Sequence, residues 1–444
     1  MNIRVLKFGG TSVADANTIK RVIEIVAKQQ SKVIIVVSAC SQVTNQLTAI
    51  ISSCLEKNNH YQTLIGAIEA QHLELAEQLN VTPEASAFIK VEAKSLNMAC
   101  AQLQNSGAAD QQLEDHILSS GERLSSAIIA HAMQKKLSRV EHIEANKLIS
   151  IKRQSGGNIV DFEKSKQQCK KHLIPLFDNC DKVVMAGFIC ADEENNIANL
   201  GRGGSDYSAA VVGNCLQASS IEIWTDVDGI LTSDPRKVSK TQLIEQLSYQ
   251  EAAELAYFGA KVLHPKTMGP ASRKNIPVYV KNTFKPELPG TKILQAVRTK
   301  NTIKSIASRE KISLVNIQSN HMYGAYGFLR RVFEVFDNFH CPVDVVTTSE
   351  VSVSITIDEI SQLEEMLEEL NSFAITRVKH KQSIVAVVGD GLKQTAGVAA
   401  KIFNAIEDIP ISMISMGASD VNLTLVVDEM DQDKVIQKLH NAFF

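Results

Sequence analysis

The chain has 444 residues, 44% of them hydrophobic and 21% charged, with a formal net charge of −3. That length suits two or three domains with sizeable cores. The absence of any basic stripe or polybasic run argues against a nucleic-acid or membrane-surface partner, and no apolar run is long enough to span a bilayer.

Ile3–Phe8 reads as an apolar strand that runs into Gly9-Gly10-Thr11-Ser12. Asp15–Lys28 sets Ile19, Val22, Ile23 and Val26 on one helical face. Lys32–Ser38 is almost wholly β-branched, the pattern of a central parallel strand buried on both faces. Long helical stretches follow to Leu137, and Lys182–Phe188, Ser220–Thr225 and Pro277–Lys281 are further short strands. Strands alternating with helices predict an α/β sandwich around a mostly parallel sheet. The passage Pro286-Glu287-Leu288-Pro289-Gly290 marks the end of this first domain, residues 1–290.

Beyond it the chain repeats. Gly327-Phe328, Val332-Phe333 and Phe336 match Gly397-Val398, Ile402-Phe403 and Ile406, and Val351–Asp358 matches Val421–Asp428. The constant offset of roughly 70 residues is that of small domains rather than of solenoid units. Each copy reads strand–helix–strand–strand–helix, a ferredoxin-like order. The first closes with a strand near Ala374–Lys379, whereas the second lacks its last strand. A spare strand, Ile303–Ser308, precedes the first copy, so residues 310–380 are expected to form one module inserted within another built from 300–309 plus 381–444.

The eight cysteines form no C-x-x-C pair and several sit in apolar runs, as buried free thiols of a reducing compartment do. With no signal-peptide pattern at the N-terminus, a cytoplasmic location is expected.

The densest chemistry lies in Asn199-Leu200-Gly201-Arg202-Gly203-Gly204-Ser205-Asp206, immediately before a helix-like run. Glycines let backbone N–H groups face a ligand, and a helix N-terminus adds unsatisfied donors, which together suit phosphate. A plain turn before a helix would need neither Arg202 nor Asp206. Lys7, Gly9, Gly10 and Thr11 sit at a strand end, where ligands of open α/β sheets gather. This is neither a Walker A loop nor a dinucleotide fingerprint, and alone it is also compatible with a surface lysine before a turn. Trp224-Thr225-Asp226-Val227-Asp228-Gly229, Asp234-Pro235-Arg236 and Gly259-Ala260-Lys261-Val262-Leu263-His264-Pro265 are, taken singly, turn clusters or helix ends. Ser119-Ser120-Gly121-Glu122-Arg123 is expected to set Glu122 at a helix start, where the dipole alone would favour an acid. Thr44 follows the Lys32–Ser38 strand on the ligand side.

Together these motifs resemble the aspartate kinases of the amino-acid-kinase family, over essentially the whole chain. KFGGTS at Lys7–Ser12, Val43-Thr44-Asn45, Gly187-Phe188-Ile189, GRGGSD at Gly201–Asp206, Trp224–Ile230 and KVLHP at Lys261–Pro265 fall in the family's order and spacing. The repeat resembles a pair of ACT regulatory domains. Met322, Gly327-Phe328-Leu329, Val343-Asp344 and Thr347–Val353 resemble the monofunctional, lysine-inhibited branch, and the chain ends with no room for a fused homoserine dehydrogenase.

The resemblance implies transfer of the ATP γ-phosphate to the side-chain carboxylate of L-aspartate, with Mg²⁺ on the ATP phosphates. It implies Lys7 and Asp206 as catalytic residues. Thr44, Glu122, Phe188, Arg202 and Ser205 would hold aspartate. Lys7, Gly9, Gly10, Thr11, Gly203, Gly204, Thr225, Asp226, Arg236 and Lys261 would hold ATP. Met322, Phe328, Leu329, Val343, Asp344, Ser349 and Glu350 would hold L-lysine as inhibitor, and ACT pairing implies a homodimer or tetramer. Leu231 stands where relatives often carry a Tyr near the adenine. Ala325 stands where a Ser often contacts the effector, and loss of one such hydrogen bond is expected to weaken inhibition by on the order of 1 kcal/mol. An amino-acid kinase acting on glutamate or a nucleotide is disfavoured by the ACT pair and GRGGSD. A catalytically silent sensor is disfavoured by intact Lys7, Arg202 and Asp206.

Overall fold

The computed structural model describes residues 2–154, 157–259, 263–297, 302–319, 326–358 and 360–444. Lys261, Met322 and Ala325 therefore lie outside the described residues. The chain divides into a first unit of residues 1–230, 245–249 and 262–297 and a second of 231–244, 250–261 and 298–444.

The first unit is built on an eight-stranded sheet. Its strands are β1 (Ile3–Phe8), β2 (Lys32–Val37), β3 (Val140–Ile143), β4 (Lys182–Ala186), β5 (Ser220–Thr225), β6 (Gln246–Ser248), β7 (Val278–Asn282) and β8 (Thr291–Leu294), in the order β6-β8-β7-β5-β1-β2-β4-β3. Six run parallel, and β8 pairs antiparallel with β7. The helices are α1 (Ala16–Ala27), α2 (Val43–Leu55), α3 (His60–Gln78), α4 (Thr82–Ser106), α5 (Gln111–Lys136), α6 (Phe162–Asn179) and α7 (Gly204–Leu216).

Strand alternation divides the core. Leu6, Phe8, Val33, Ile35 and Val37 face one way, into a core shared with α1 to α5. Val5 faces the other way, where α7 approaches so closely that a Cβ on Gly213 would lie 3.7 Å from Val5 and 2.8 Å from Ile221. Lys7 shares the Val5 side, so the alternation itself aims its ammonium at α7. The chain leaves β1 for β2 on one side and later returns to β5 on the other. The C-terminal end of β1 is therefore the sheet's switch point, where a crevice opens.

The second unit carries a six-stranded antiparallel sheet of β9 (Ile303–Gln318), β10 (Val343–Thr348), β11 (Ser352–Asp358), β12 (Ile375–Gly389), β13 (Met413–Met416) and β14 (Asn422–Asp428), in the order β10-β11-β9-β12-β14-β13. β9 and β12 each run through both repeats. Ile303–Arg309 pairs with Ile384–Gly389 and Ile312–Gln318 with Ile375–Gln382, with register shifts around Arg309 and Ile312. Two separate cores result among the described residues of this unit. One surrounds Val315, Val332, Phe336 and Ile355, and the other Ile306, Val385, Ile402 and Leu425. Among the described residues no helix is long and apolar enough to cross a membrane, and all eight cysteines are buried and free.

Candidate active site

The strand ends of the first unit are tied together by backbone hydrogen bonds. Gly9 N–H donates to the Trp224 carbonyl (3.1 Å), Ser38 N–H to Phe8 (3.1 Å), Gly187 N–H to Val37 (2.8 Å) and Thr283 N–H to Thr225 (2.8 Å). The Ser12 and Thr283 hydroxyls add a 2.7 Å bond. These bonds bring the Gly9-Gly10-Thr11 turn beside Thr225 and the loops after β2 and β4.

Across this floor Lys7 meets α7. Its Nζ lies 2.6 Å from Asp206 Oδ1, with the two side chains only 11% and 13% exposed. An ion pair this enclosed is held by mutual compensation, and removing one partner strands the other. Asp206 sits in the first turn of α7, where the helix dipole also favours an acid.

Close packing accounts for the glycines around this loop. Gly203 caps α7 at φ +72°, a conformation in which a Cβ is strained, and that Cβ would also fall on the ring of His264. A Cβ on Gly187 would lie 2.6 Å from Ser205 Cβ, and one on Gly204 would lie 2.7 Å from the Phe188 ring. Arg202 is exposed. Phe188 itself adopts φ +66°, costly for an aromatic residue. Its N–H donates to Ser208 Oγ (2.9 Å) and its carbonyl accepts from Leu200 N–H (2.9 Å). Only a second carbonyl lone pair of Phe188 is therefore left for a ligand.

Glu122 departs from expectation. It lies well inside α5, not at a helix start. The N-cap is Asp110, whose carboxylate accepts from Gln112 and Leu113 N–H, while the Ser119 and Ser120 hydroxyls donate to the His116 carbonyl. Gly121 serves packing instead, since a Cβ there would come within 2.8 Å of Ala39 Cβ and 3.1 Å of Val43. That contact brings Glu122 against the loop after β2. Burial pushes its carboxyl up to about 7, opposed by the Ala39 N–H and by Lys7. Burial and Glu122 together push the neighbouring Cys40 thiol up to about 12. Thr44 is exposed in the first turn of α2.

The folded-state value of Glu122 lies above its ordinary value. Between 4.5 and about 7 the folded protein holds a proton that the unfolded chain has lost. Stability from this group therefore falls as pH rises through that window. Glu122→Gln should raise Tm at pH 8 by about 3 °C or more and change it little at pH 5, as read by thermal unfolding in matched buffers.

Nothing local in the sequence marks His264 for a role, although it stands within the KVLHP motif. Its ring lies against Gly203, and burial holds its pKa below the ordinary value, with Lys266 and Arg202 lowering it further and Asp206 opposing them. At the end of β5, Thr225 Oγ1 donates to the exposed Asp226 carboxylate (3.1 Å). Arg236 belongs to the second unit, where its exposed guanidinium is held by Asp234 (2.6 Å).

The expected effector residues also lie in the second unit. Phe328 and Leu329 open the helix Phe328–Asn338 after Gly327, Val343 and Asp344 begin β10, and Ser349 and Glu350 are exposed in the turn before β11. The Asp344 side chain is 5% exposed. Its Oδ1 accepts from the Tyr257 hydroxyl (2.7 Å) and from Arg309 (2.8 Å), whereas Oδ2 is buried without a hydrogen-bond partner among the described residues.

The sequence matches the amino acid kinase family over residues 2–282 and the ACT domain family over 385–443. It is 33% identical to the lysine-sensitive aspartokinase 3 of Escherichia coli K12 across 100% of this chain and 99% of that one. The chain belongs to the aspartokinases of the amino acid kinase family. Aspartokinase 2 of Arabidopsis thaliana chloroplasts is 31% identical, over 99% of this chain and 84% of its own length. Among solved structures, E. coli aspartokinase III with aspartate and ADP (R-state) matches with TM-score 0.89 and 31% identity over all of both chains. The same E. coli protein with lysine and aspartate (T-state) matches with TM-score 0.83 and 32% identity, over 100% of this chain and 99% of that one. Membership in this family accounts for both parts of the fold, the mostly parallel sheet and the antiparallel regulatory sheet.

Proposed function

We propose that the chain transfers the γ-phosphate of ATP to the side-chain carboxylate of L-aspartate, giving ADP and 4-phospho-L-aspartate, the first step toward lysine, threonine and methionine. The observation that carries this reading is the enclosed Lys7–Asp206 pair beneath a glycine turn at the sheet's switch point. Full-length similarity to an aspartokinase seen with aspartate and ADP supports it.

The nucleophile has an ordinary pKa of about 3.9 and is ionised at neutral pH, so no general base is required. Catalysis then rests on positioning and on neutralising charge on the phosphoryl group in flight. Lys7 is the cation for that charge, with N–H groups of Gly10, Thr11 and Gly203 assisting, whereas those of Gly9 and Gly204 already donate to the Trp224 (3.1 Å) and Gly201 (2.9 Å) carbonyls and shape the turns. Arg202 takes the substrate α-carboxylate in a bidentate contact. Glu122 takes the ammonium, with Thr44, Ser205 and the Phe188 carbonyl completing the pocket. Thr225 and Asp226 serve the nucleotide. Mg²⁺ on the ATP phosphates supplies further charge neutralisation, and the exposed Asp226 carboxylate beside the glycine turn suits it.

If Glu122 binds the ammonium as a carboxylate, KM for aspartate should rise as pH falls through about 7, and Glu122→Gln should flatten that profile. The chemistry itself is tested by trapping the acyl phosphate with hydroxylamine. Hydroxamate should form with L-aspartate and not with L-glutamate, and the reverse preference would refute the substrate.

L-Lysine is the proposed inhibitor, bound in the second unit by Phe328, Leu329, Val343, Asp344, Ser349 and Glu350. Asp344 Oδ2, buried without a hydrogen-bond partner among the described residues, suits a cationic effector. Asp344→Asn should raise the lysine concentration for half-inhibition about tenfold or more, since charge-assisted bonds contribute on the order of 1.5–3 kcal/mol. An unchanged inhibition curve would remove Asp344 from the effector site. A homodimer or tetramer through the ACT modules is part of the same reading, and light scattering that gives a monomer would contradict it.

A further inference from the structure

A buried polar chain lies beneath the aspartate-binding loop, apart from the groups assigned to chemistry. Asp115 stands on α5 seven residues before Glu122, so the two share a helix face. Its side chain is fully buried. Oδ2 accepts from Arg153 Nη2 (2.8 Å), and Oδ1 accepts from Gln111 Nε2 (3.0 Å) and from Asn199 Nδ2. The Asn199 side-chain oxygen then accepts the N–H of Gly201 (3.1 Å), and its backbone carbonyl accepts from Asn158 Nδ2 (2.7 Å). Arg153 is braced in turn by Asp192 (3.5 Å) and by its own N–H to Glu193 (2.8 Å).

We propose that Asp115 is a positioning residue for the aspartate-binding loop, acting through Asn199 on the backbone at Gly201 and hence on Arg202. An amide side chain can turn either end toward a partner. Here the carboxylate, an acceptor only, claims the Asn199 N–H₂ and leaves the amide oxygen for Gly201. Burial pushes the Asp115 carboxyl above its ordinary value, and Arg153 opposes that rise with a compensating charge 2.8 Å away; with Arg153, Gln111 and Asn199 all donating to it, the orientation is set from below.

The polar network reaches Gly201, beside Arg202, and the Gly201 carbonyl accepts the N–H of Gly204 (2.9 Å) at the start of α7. Asp206 has further anchors within α7, where the Gly203 carbonyl accepts from Tyr207 N–H (3.0 Å) and the Gly204 carbonyl from Ser208 Oγ (2.9 Å). Loosening Asp115 therefore disturbs the group that grips aspartate more than the group paired with Lys7. This rests on the assignment of Arg202 to the substrate α-carboxylate.

The test compares Asp115→Asn, Asn199→Ala and the double variant. Each single change should raise aspartate KM about tenfold, with kcat and ATP KM within about threefold, because a small misplacement of a binding group is costly. The double variant should be no worse than the worse single one, since both act along one path. Hydrogen exchange supplies a readout independent of turnover. Amides of 200–203 should exchange faster in Asn199→Ala while those of 207–216 do not. A lower Tm with aspartate KM and loop exchange unchanged in Asn199→Ala overturns the proposal, as do additive effects in the double variant. If Asp115→Asn does not fold, Asn199→Ala decides alone. A wild type without aspartate-dependent turnover would count against the activity, and the exchange data would still judge the positioning.

Discussion

Lys7→Met is expected to lower kcat about a thousandfold, the scale on which a single cation or oxyanion donor acts on a phosphoryl or acyl transition state. Methionine keeps the unbranched stem and removes the charge. The transferring phosphoryl group then meets only backbone donors and Mg²⁺. The substitution has a second consequence, because Asp206 loses its 2.6 Å partner in a site where its side chain is 13% exposed. Stability should fall by about 3 kcal/mol as that acid is stranded. Adding Asp206→Asn should recover much of the stability and none of the turnover. Thermal unfolding beside single-turnover kinetics separates the two effects. Turnover near the wild-type rate in a folded Lys7→Met protein would remove Lys7 from the chemistry.

Gly203→Ala should be nearly as damaging for a different reason. The backbone there holds φ +72°, which costs an alanine about 1 kcal/mol. The new Cβ would also coincide with the His264 ring, so the ring or the loop must move. His264 feels both Asp206 and Arg202, so that movement disturbs both. A loss of at least about a hundredfold in kcat/KM for aspartate is expected, together with a lower Tm. Gly201→Ala is the control. Gly201 has the same φ of +72° but nothing within 4 Å of its Cβ position. Its effect should be the backbone cost alone, about tenfold or less. Equal losses in the two variants would show that the packing on His264 does not matter.

The parts of this molecule that were legible in its sequence are those with a local signature. The β-branched run at Lys32–Val37 announced a strand buried on both faces, and Val33–Val37 are all buried. The glycine loops stood out because turn geometry and close approach demand glycine wherever they occur. The internal repeat was visible because each copy must build its own core, and two cores are present. What escaped was long-range. Ser119-Ser120-Gly121 looks like a helix start, yet Gly121 is small because Ala39 and Val43 press on it from elsewhere in the chain. Asn199 meets Asp115, and Gly203 meets His264, across separations that leave no spacing rule to read. The strand near Ala374–Lys379 was seen, but its continuation to Gly389 depends on pairing with the shifted register of β9. Glu122 was singled out by type and motif, whereas its upward-shifted carboxyl is a consequence of burial that only the packed α5 supplies.

The central claim is that this aspartokinase phosphorylates L-aspartate and is restrained by L-lysine. The most direct measurement is ADP release from ATP and Mg²⁺ with and without L-aspartate, repeated in millimolar L-lysine. Aspartate-dependent ADP release that lysine suppresses is the predicted result. Release indifferent to lysine would keep the kinase and contradict the effector, and a folded protein that releases no ADP in response to aspartate would contradict the account itself.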